Sequence, residues 1–353
     1  MDTTAYDNSR LKTPAPRIGI DDQAAAHSSK SPELRRVALR IACGALGFFA
    51  LVAAAGAAYE SIAARGDAAA YPAAGQLVDV GGYRLHLDCR GEGAPTVVID
   101  AGLGGSSLDW TLIQSQLSGA TRVCTYDRAG MGWSDAGPLP RSPAHIAAEL
   151  HRLLANAGVP GPYVLVAHSL AGKNARMFDA AHPEDVAGMV LVDARSEYVD
   201  TRTSPAETAA FGAALSGQAT MYSVARRFGI ARLFGAGLID QALVPSALAT
   251  EMVLLQTNPN AIEETTAEGM ARATDDVALG ASTLGSIPLV VIAADDSMAN
   301  IPNWPAAQAA MADLSSKGRL VVAHHSSHTV QLDAPDVVIG AVREVLAVAR
   351  DRS

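Results

Sequence analysis

Apolar positions along the chain come in three textures. From Ile41 to Tyr59 they run nineteen residues without a charge (IACGALGFFALVAAAGAAY), enough for one helix to cross about 30 Å of hydrocarbon. From Gln76 onward, short apolar runs alternate with helical stretches, which predicts a mostly parallel sheet covered by helices. The strands expected are Tyr83 to Asp88, Thr96 to Ile99, Arg122 to Tyr126, Tyr163 to Ala167, Gly188 to Val192, Leu289 to Ala293 and Arg319 to Val322. Between Ser196 and Ser286 the alternation stops. That stretch reads as helices and loops inserted between two strands, with Phe211, Leu215, Met221, Tyr222, Phe228, Leu233, Phe234, Met252 and Leu254 at roughly helical spacing.

The polar flanks orient the apolar run. Arg35, Arg36 and Arg40 precede it, and Glu60, Arg65 and Asp67 follow, so the positive-inside bias leaves the N-terminus cytoplasmic and the rest outside. A cleaved signal peptide is the rival, since Ala53 and Ala55 resemble a processing site; a buried globular helix is the plainest alternative. Residues 1–34, rich in Ser, Thr, Asp and Pro, read as a disordered tail. Residues 35–60 read as a transmembrane anchor and 61–75 as a small-residue linker.

Composition trims the possibilities. A net charge of −9 over 353 residues argues against a nucleic-acid partner, which calls for a basic face. Three cysteines, Cys43, Cys89 and Cys124, are too few for a disulfide scaffold and lack metal-site spacing.

The chemistry concentrates in Tyr163 to Arg176, YVLVAHSLAGKNAR. An apolar strand meets His168-Ser169-Leu170-Ala171-Gly172 and then a helical stretch. Such a turn holds a serine in a strained conformation with its hydroxyl above the sheet, and small residues must flank it because backbone passes close by. Ala167 and Ala171 fill those positions. The plainer reading of Ser169 is a helix N-cap. Lys173 and Arg176 on the following helix are expected to be solvated, and His168 to point away from the serine in a structural role.

From these residues the chain resembles the α/β-hydrolase superfamily over Gln76 to Ala349. Asp100-Ala101-Gly102-Leu103-Gly104-Gly105 looks like its oxyanion loop, with Ala101 where histidine is common. Tyr126 to Ser134 (YDRAGMGWS) looks like its turn after the next strand, and Ser326-Ser327-His328 precedes a C-terminal helix where the family keeps its catalytic histidine. The resemblance implies an α/β fold: a mostly parallel eight-stranded sheet with helices on both faces. Residues 76–195 and 287–353 would form the core and 196–286 an inserted helical cap.

It further implies Ser169 as nucleophile, His328 as base (His325 less so), and backbone N–H groups of Leu103 and Leu170 as the oxyanion hole. The acid stays open. Asp193 ends the strand after the nucleophile, 24 residues beyond Ser169; Asp296 stands one residue before Ser297, where the common Asp falls; Asp295 and Glu197 are further choices. Asp127 and Arg128 are expected to be structural, and Trp133 either packs or lines the acyl pocket. Cys89 and Cys124, near the ends of strands that neighbour each other in this fold, can form a disulfide.

The expected activity is that of a carboxylesterase acting on small to medium apolar esters through an acyl-enzyme, without metal or organic cofactor. Its partners would be a small-molecule ester and, through the N-terminal helix, the lipid bilayer, with the catalytic domain extracytoplasmic or, after cleavage, secreted. Amidase, thioesterase, lactonase or carbon–carbon hydrolase chemistry could use the same residues. A catalytically inactive membrane-tethered binding protein is the alternative from another class.

Overall fold

The structure is a computed structural model that describes residues 32–239 and 243–351. The chain divides into two units, residues 1–51 and 52–353. Described residues of the first unit are helical and exposed along their length, Cys43 among them. They open helix α1 (Pro32–Ala70), the one described helix long and apolar enough to cross a membrane. Residues 61–70, expected as linker, are therefore helical. Their alanines favour helix, and Asp67 finds partners on a neighbouring element described below.

The second unit is built on one sheet. Its strands are β1 (Gln76–Asp79), β2 (Arg84–Arg90), β3 (Thr96–Asp100), β4 (Val123–Tyr126), β5 (Tyr163–His168), β6 (Val186–Val192), β7 (Leu289–Ala294) and β8 (Gly318–Ala323). They lie in the order β1-β2-β4-β3-β5-β6-β7-β8. β2 pairs antiparallel with both β1 and β4, and every other pairing is parallel. Cys89 and Cys124 face each other across β2 and β4 and are bridged. β1 eluded the sequence pattern because it is four residues long and mostly exposed.

Strands β3 to β7 are continuous apolar runs because both sheet faces are covered. Alternate residues divide between two cores: Val98, Leu165, Leu191 and Val291 on one face, Val97, Val164, Val190 and Ile292 on the other. Helices α2 (Thr111–Leu117) and α14 (Pro335–Arg350) pack on the second face, and α3 (Pro143–Asn156), α4 (Ala171–Ala181) and α12 (Trp304–Ala312) on the first. Short α11 (Asp295–Asn300) follows β7, and α13 (Val330–Asp333) follows β8.

Between β6 and β7 lie only helices among the described regular elements: α5 (Glu197–Asp200), α6 (Pro205–Arg227), α7 (Ile230–Phe234), α8 (Ser246–Gln256), α9 (Pro259–Ala271) and α10 (Asp276–Gly280). A reciprocal cap starts α6: Ser204 Oγ accepts from Glu207 N, and the Glu207 carboxylate accepts from Ser204 N.

Lys173 and Arg176 are not solvated. Lys173 Nζ lies 2.5 Å from Asp200 and 2.5 Å from Asp276, and Arg176 Nη1 lies 2.5 Å from Glu197. All three carboxylates come from the insertion that covers α4. Buried cations require such partners, and the partners lie 21 to 103 residues away.

Candidate active site

In an open parallel sheet, the crevice beyond the strands' carboxyl ends, where strand order reverses, gathers loops. Here β3 and β5 lie side by side while β4 turns off to the other flank. The β5–α4 turn sets Ser169 at φ +52, a left-handed conformation that costs a non-glycine residue energy. Backbone bonds hold it there: Ser169 N donates to Val192 O, and Arg195 N to Ser169 O. A Cβ on Gly172 would come within 2.7 Å of Ala194 Cβ, so the turn tolerates only the smallest residue at that point.

Ser169 Oγ lies 2.8 Å from His328 Nε2, and His328 Nδ1 lies 2.6 Å from Asp193 Oδ2. Asp193, at the end of β6, is also strained (φ +39) and fully buried. Its carboxylate accepts from Ser297 Oγ at 2.5 Å, Trp304 Nε1 at 2.8 Å and Ala294 N at 3.0 Å. Burial would raise its pKa, but the bonds from His328, Ser297, Trp304 and Ala294 outweigh it and hold the group below the usual carboxylate value.

The other carboxylates lie elsewhere. Asp296 is exposed and accepts from Asn300 Nδ2 at 2.7 Å. Asp295 accepts from the backbone N–H groups of His325 and Ser326, and Glu197 pairs with Arg176. Asp295 thus anchors the loop that carries His328 without meeting its ring.

His168 stands closer to the chemistry than its sequence position suggested. Its ring lines the cavity above Ser169, and its Nε2–H donates to the His328 carbonyl at 2.8 Å. Burial, aided by the neighbouring His328, pushes its pKa down to about 3, so near neutrality it is an uncharged donor. Gly102 lies against this ring: a Cβ there would fall 2.6 Å from His168 Nδ1.

The loop after β3 completes the floor. Arg128, buried, donates to Asp100 Oδ1 (2.7 Å), to the carbonyls of Ala101 (2.5 Å) and Gly102 (2.8 Å), and to both oxygens of Glu268 on α9. It therefore ties the loop to the insertion above it. Asp109, whose carboxyl burial pushes up to about 6, accepts from Ser106 N at the loop's far end. Leu103 borders the cavity, and Leu170, next to Ser169 in the chain, immediately precedes α4. Among the described residues neither backbone N–H has a protein acceptor.

Asp127 keeps to structure, accepting from Ser107 N and His86 Nδ1. Trp133 lines no part of this cavity; its indole N–H donates to Tyr71 O. The cavity measures about 490 Å³, with Ser169, His328 and Leu103 below and Leu215, Tyr222 and Met252 of the insertion above. Among the described residues one group offers metal-type ligands, His151, His182 and Asp185, outside the cavity.

Trp304 and Ser297 went unremarked as partners of Asp193 in the sequence. Ser297 left one trace, occupying the place where the resembling family puts an Asp. Trp304 left none, because 111 residues separate it from Asp193.

Comparison with known proteins bears on the family and the fold. A model of the alpha/beta hydrolase family matches residues 97–341. A protein of Hormonema carpetanum named as a probable transporter is 38% identical over 134 residues, covering 36% of this chain and 19% of its own. An uncharacterized protein of Schizosaccharomyces pombe is 29% identical over 238 residues, covering 66% and 43%. The chain thus spans less than half the length of either relative. A thermophilic esterase from Thermogutta terrifontis superposes with a TM-score of 0.58 at 21% identity, covering 78% of this chain and 98% of the esterase, a likeness of fold.

Proposed function

The chain belongs to the alpha/beta hydrolase family, and from that premise we propose that it is a serine hydrolase cleaving apolar carboxylic esters. The observation that carries this reading is the chain of contacts from Ser169 through His328 to Asp193.

A serine hydroxyl is a weak nucleophile until a base takes its proton. With its Nδ1–H donated to Asp193, His328 leaves Nε2 to accept from Ser169 Oγ. Oγ attacks the ester carbonyl as its proton passes to Nε2, and Asp193 stabilises the imidazolium that forms. The N–H groups of Leu103 and Leu170 receive the oxyanion, a role worth roughly 10²–10³ in kcat for a single such donor. The tetrahedral intermediate collapses, the C–O bond to the alcohol breaks, and His328 returns the proton to the leaving oxygen. Water repeats the sequence on the acyl-enzyme, releasing the acid and restoring Ser169.

An N-terminal anchor is part of the same reading. It is supported by the long apolar helix, and the Cys89–Cys124 bridge fits an oxidising compartment. The test is a panel of p-nitrophenyl esters of rising chain length, run beside thioester, lactone and anilide substrates. Ester turnover that disappears in Ser169→Ala supports the proposal. Turnover confined to another bond class, or unchanged in Ser169→Ala, overturns it.

A further inference from the structure

The outer side of the insertion is unusually apolar for a surface. Met221 on α6 is 59% exposed; on α7, Ile230, Leu233 and Phe234 are 48%, 58% and 67% exposed. Such a patch calls for an occupant, and its position relative to residues 52–70 says which. Gly56 lies so close to the α6–α7 turn that a Cβ would collide with the Phe228 carbonyl, and Tyr59 packs against Gly229.

Gly56 and Tyr59 belong to the last turn of the charge-free run that ends at Tyr59. At 1.5 Å per residue, the α6–α7 turn sits about 5 Å or less inside the end of that run. One residue past it the charges begin. Arg226 Nε lies 2.7 Å and Arg232 Nε 2.9 Å from the Glu60 carboxylate, and both arginines also bond Asp67. Two cations and two anions thus fix α6 and α7 beside the residue at which the charge-free run ends.

A second cavity opens on this face. It measures about 420 Å³ and is bordered by Met221, Ile230, Phe234 and Val253. It shares Tyr222, Ile239 and Gln256 with the cavity over Ser169. Those three side chains are thus the wall common to the patch-side cavity and the cavity over Ser169.

We propose that the α7 face of the insertion rests on the surface of the bilayer that holds the anchor, and that the second cavity admits the hydrocarbon chain of a bilayer-dissolved ester to Ser169. This rests on the esterase and anchor readings above and moves the substrate class from small, water-borne esters to long-chain, lipid-soluble ones. The partner is the lipid surface itself: a face held beside the end of a membrane-spanning run has hydrocarbon within reach.

The test uses the full chain in phosphatidylcholine vesicles that carry doxyl-labelled lipid, with Cys43→Ser as background. A fluorophore is placed on Leu233→Cys, on Leu46→Cys within the apolar run, and on Val277→Cys, whose native side chain is 92% exposed on α10. Lipid quenching at positions 46 and 233 but not 277 is the expected result. Quenching at 46 without quenching at 233 overturns the docking and leaves the anchor intact. Quenching at neither position overturns both.

A kinetic arm reads the consequence. Leu233→Asp should lower hydrolysis of a vesicle-dissolved p-nitrophenyl palmitate by about tenfold, the loss of roughly one leucine's burial, while p-nitrophenyl acetate turnover stays at the wild-type rate. Equal effects on both esters contradict the route. Absence of acetate turnover in the wild-type chain overturns the esterase reading instead.

Discussion

The floor and the roof of the cavity are held by different means. Ser169 and Asp193 on the floor follow directly from strand ends, and both sit at positive φ, fixed by backbone bonds. The roof is a run of helices with no strand to set its place among the described residues. Its inner helices are pinned by buried ion pairs, Glu268 to Arg128, Glu264 to Arg141 and Asp276 to Lys173. Its outer helices lean on residues 56–67 and expose apolar side chains. On the proposed reading, the difference teaches where reactivity and selectivity can vary apart: Ser169 and Asp193 follow strand ends, while the surface proposed to take the hydrocarbon chain belongs to helices whose inner members are pinned by ion pairs.

The largest effect should come from the floor. Asp193→Asn should lower kcat by about 10⁴, since the amide leaves His328 in the wrong tautomer, whereas Asp296→Asn should stay near wild type in steady-state ester hydrolysis. Equal losses in the two variants would erase the distinction drawn between these carboxylates. Ser297→Ala, which removes one of the bonds to Asp193 Oδ2, should cost much less, about tenfold, at the scale of a single hydrogen bond to a charged group.

Pinning of the roof can be broken separately. Arg128→Met leaves Asp100 and Glu268 buried without their cation and should cost about 3–5 kcal/mol in urea unfolding. Loss of stability with the Ser169–His328 pair still reactive would place Arg128 in architecture; unchanged stability would contradict the pinning.

A smaller effect separates the two by pH. An unfolded histidine protonates near 6.5, whereas folded His168 does so only near 3. Between these values the unfolded chain binds the extra proton, so stability should fall as pH drops from about 6.5 to about 3, by up to ~1.4 kcal/mol per unit. His168→Gln should flatten that limb in denaturant titrations at pH 6.5, 5.5 and 4.5. An undiminished slope would contradict the uncharged donor assigned to His168.

Legibility follows the same division. The continuous apolar strands, the turn at Ser169 and the position of His328 after the last strand are legible because local composition and spacing encode them. What decides between Asp193 and Asp296 is which strand end faces His328, a matter of sheet order that no local pattern carries. Burial of Lys173 and Arg176 is illegible for a similar reason: a polar residue on a helix looks solvated until the carboxylates of a distant insertion arrive. The outer roof was legible only as apolar helices. Whether Leu215 borders the cavity and Leu233 faces outward depends on helix rotation, set for α6 by packing on α9 at Gly269 and for α7 by the pairing of Arg232 with Glu60 and Asp67.

The most direct test of the central claim is labelling of the folded full chain with a fluorophosphonate, followed by peptide mass mapping. The account predicts stoichiometric modification at Ser169 alone, slowed by orders of magnitude in His328→Ala. Modification at another serine, or none in folded protein, would contradict it.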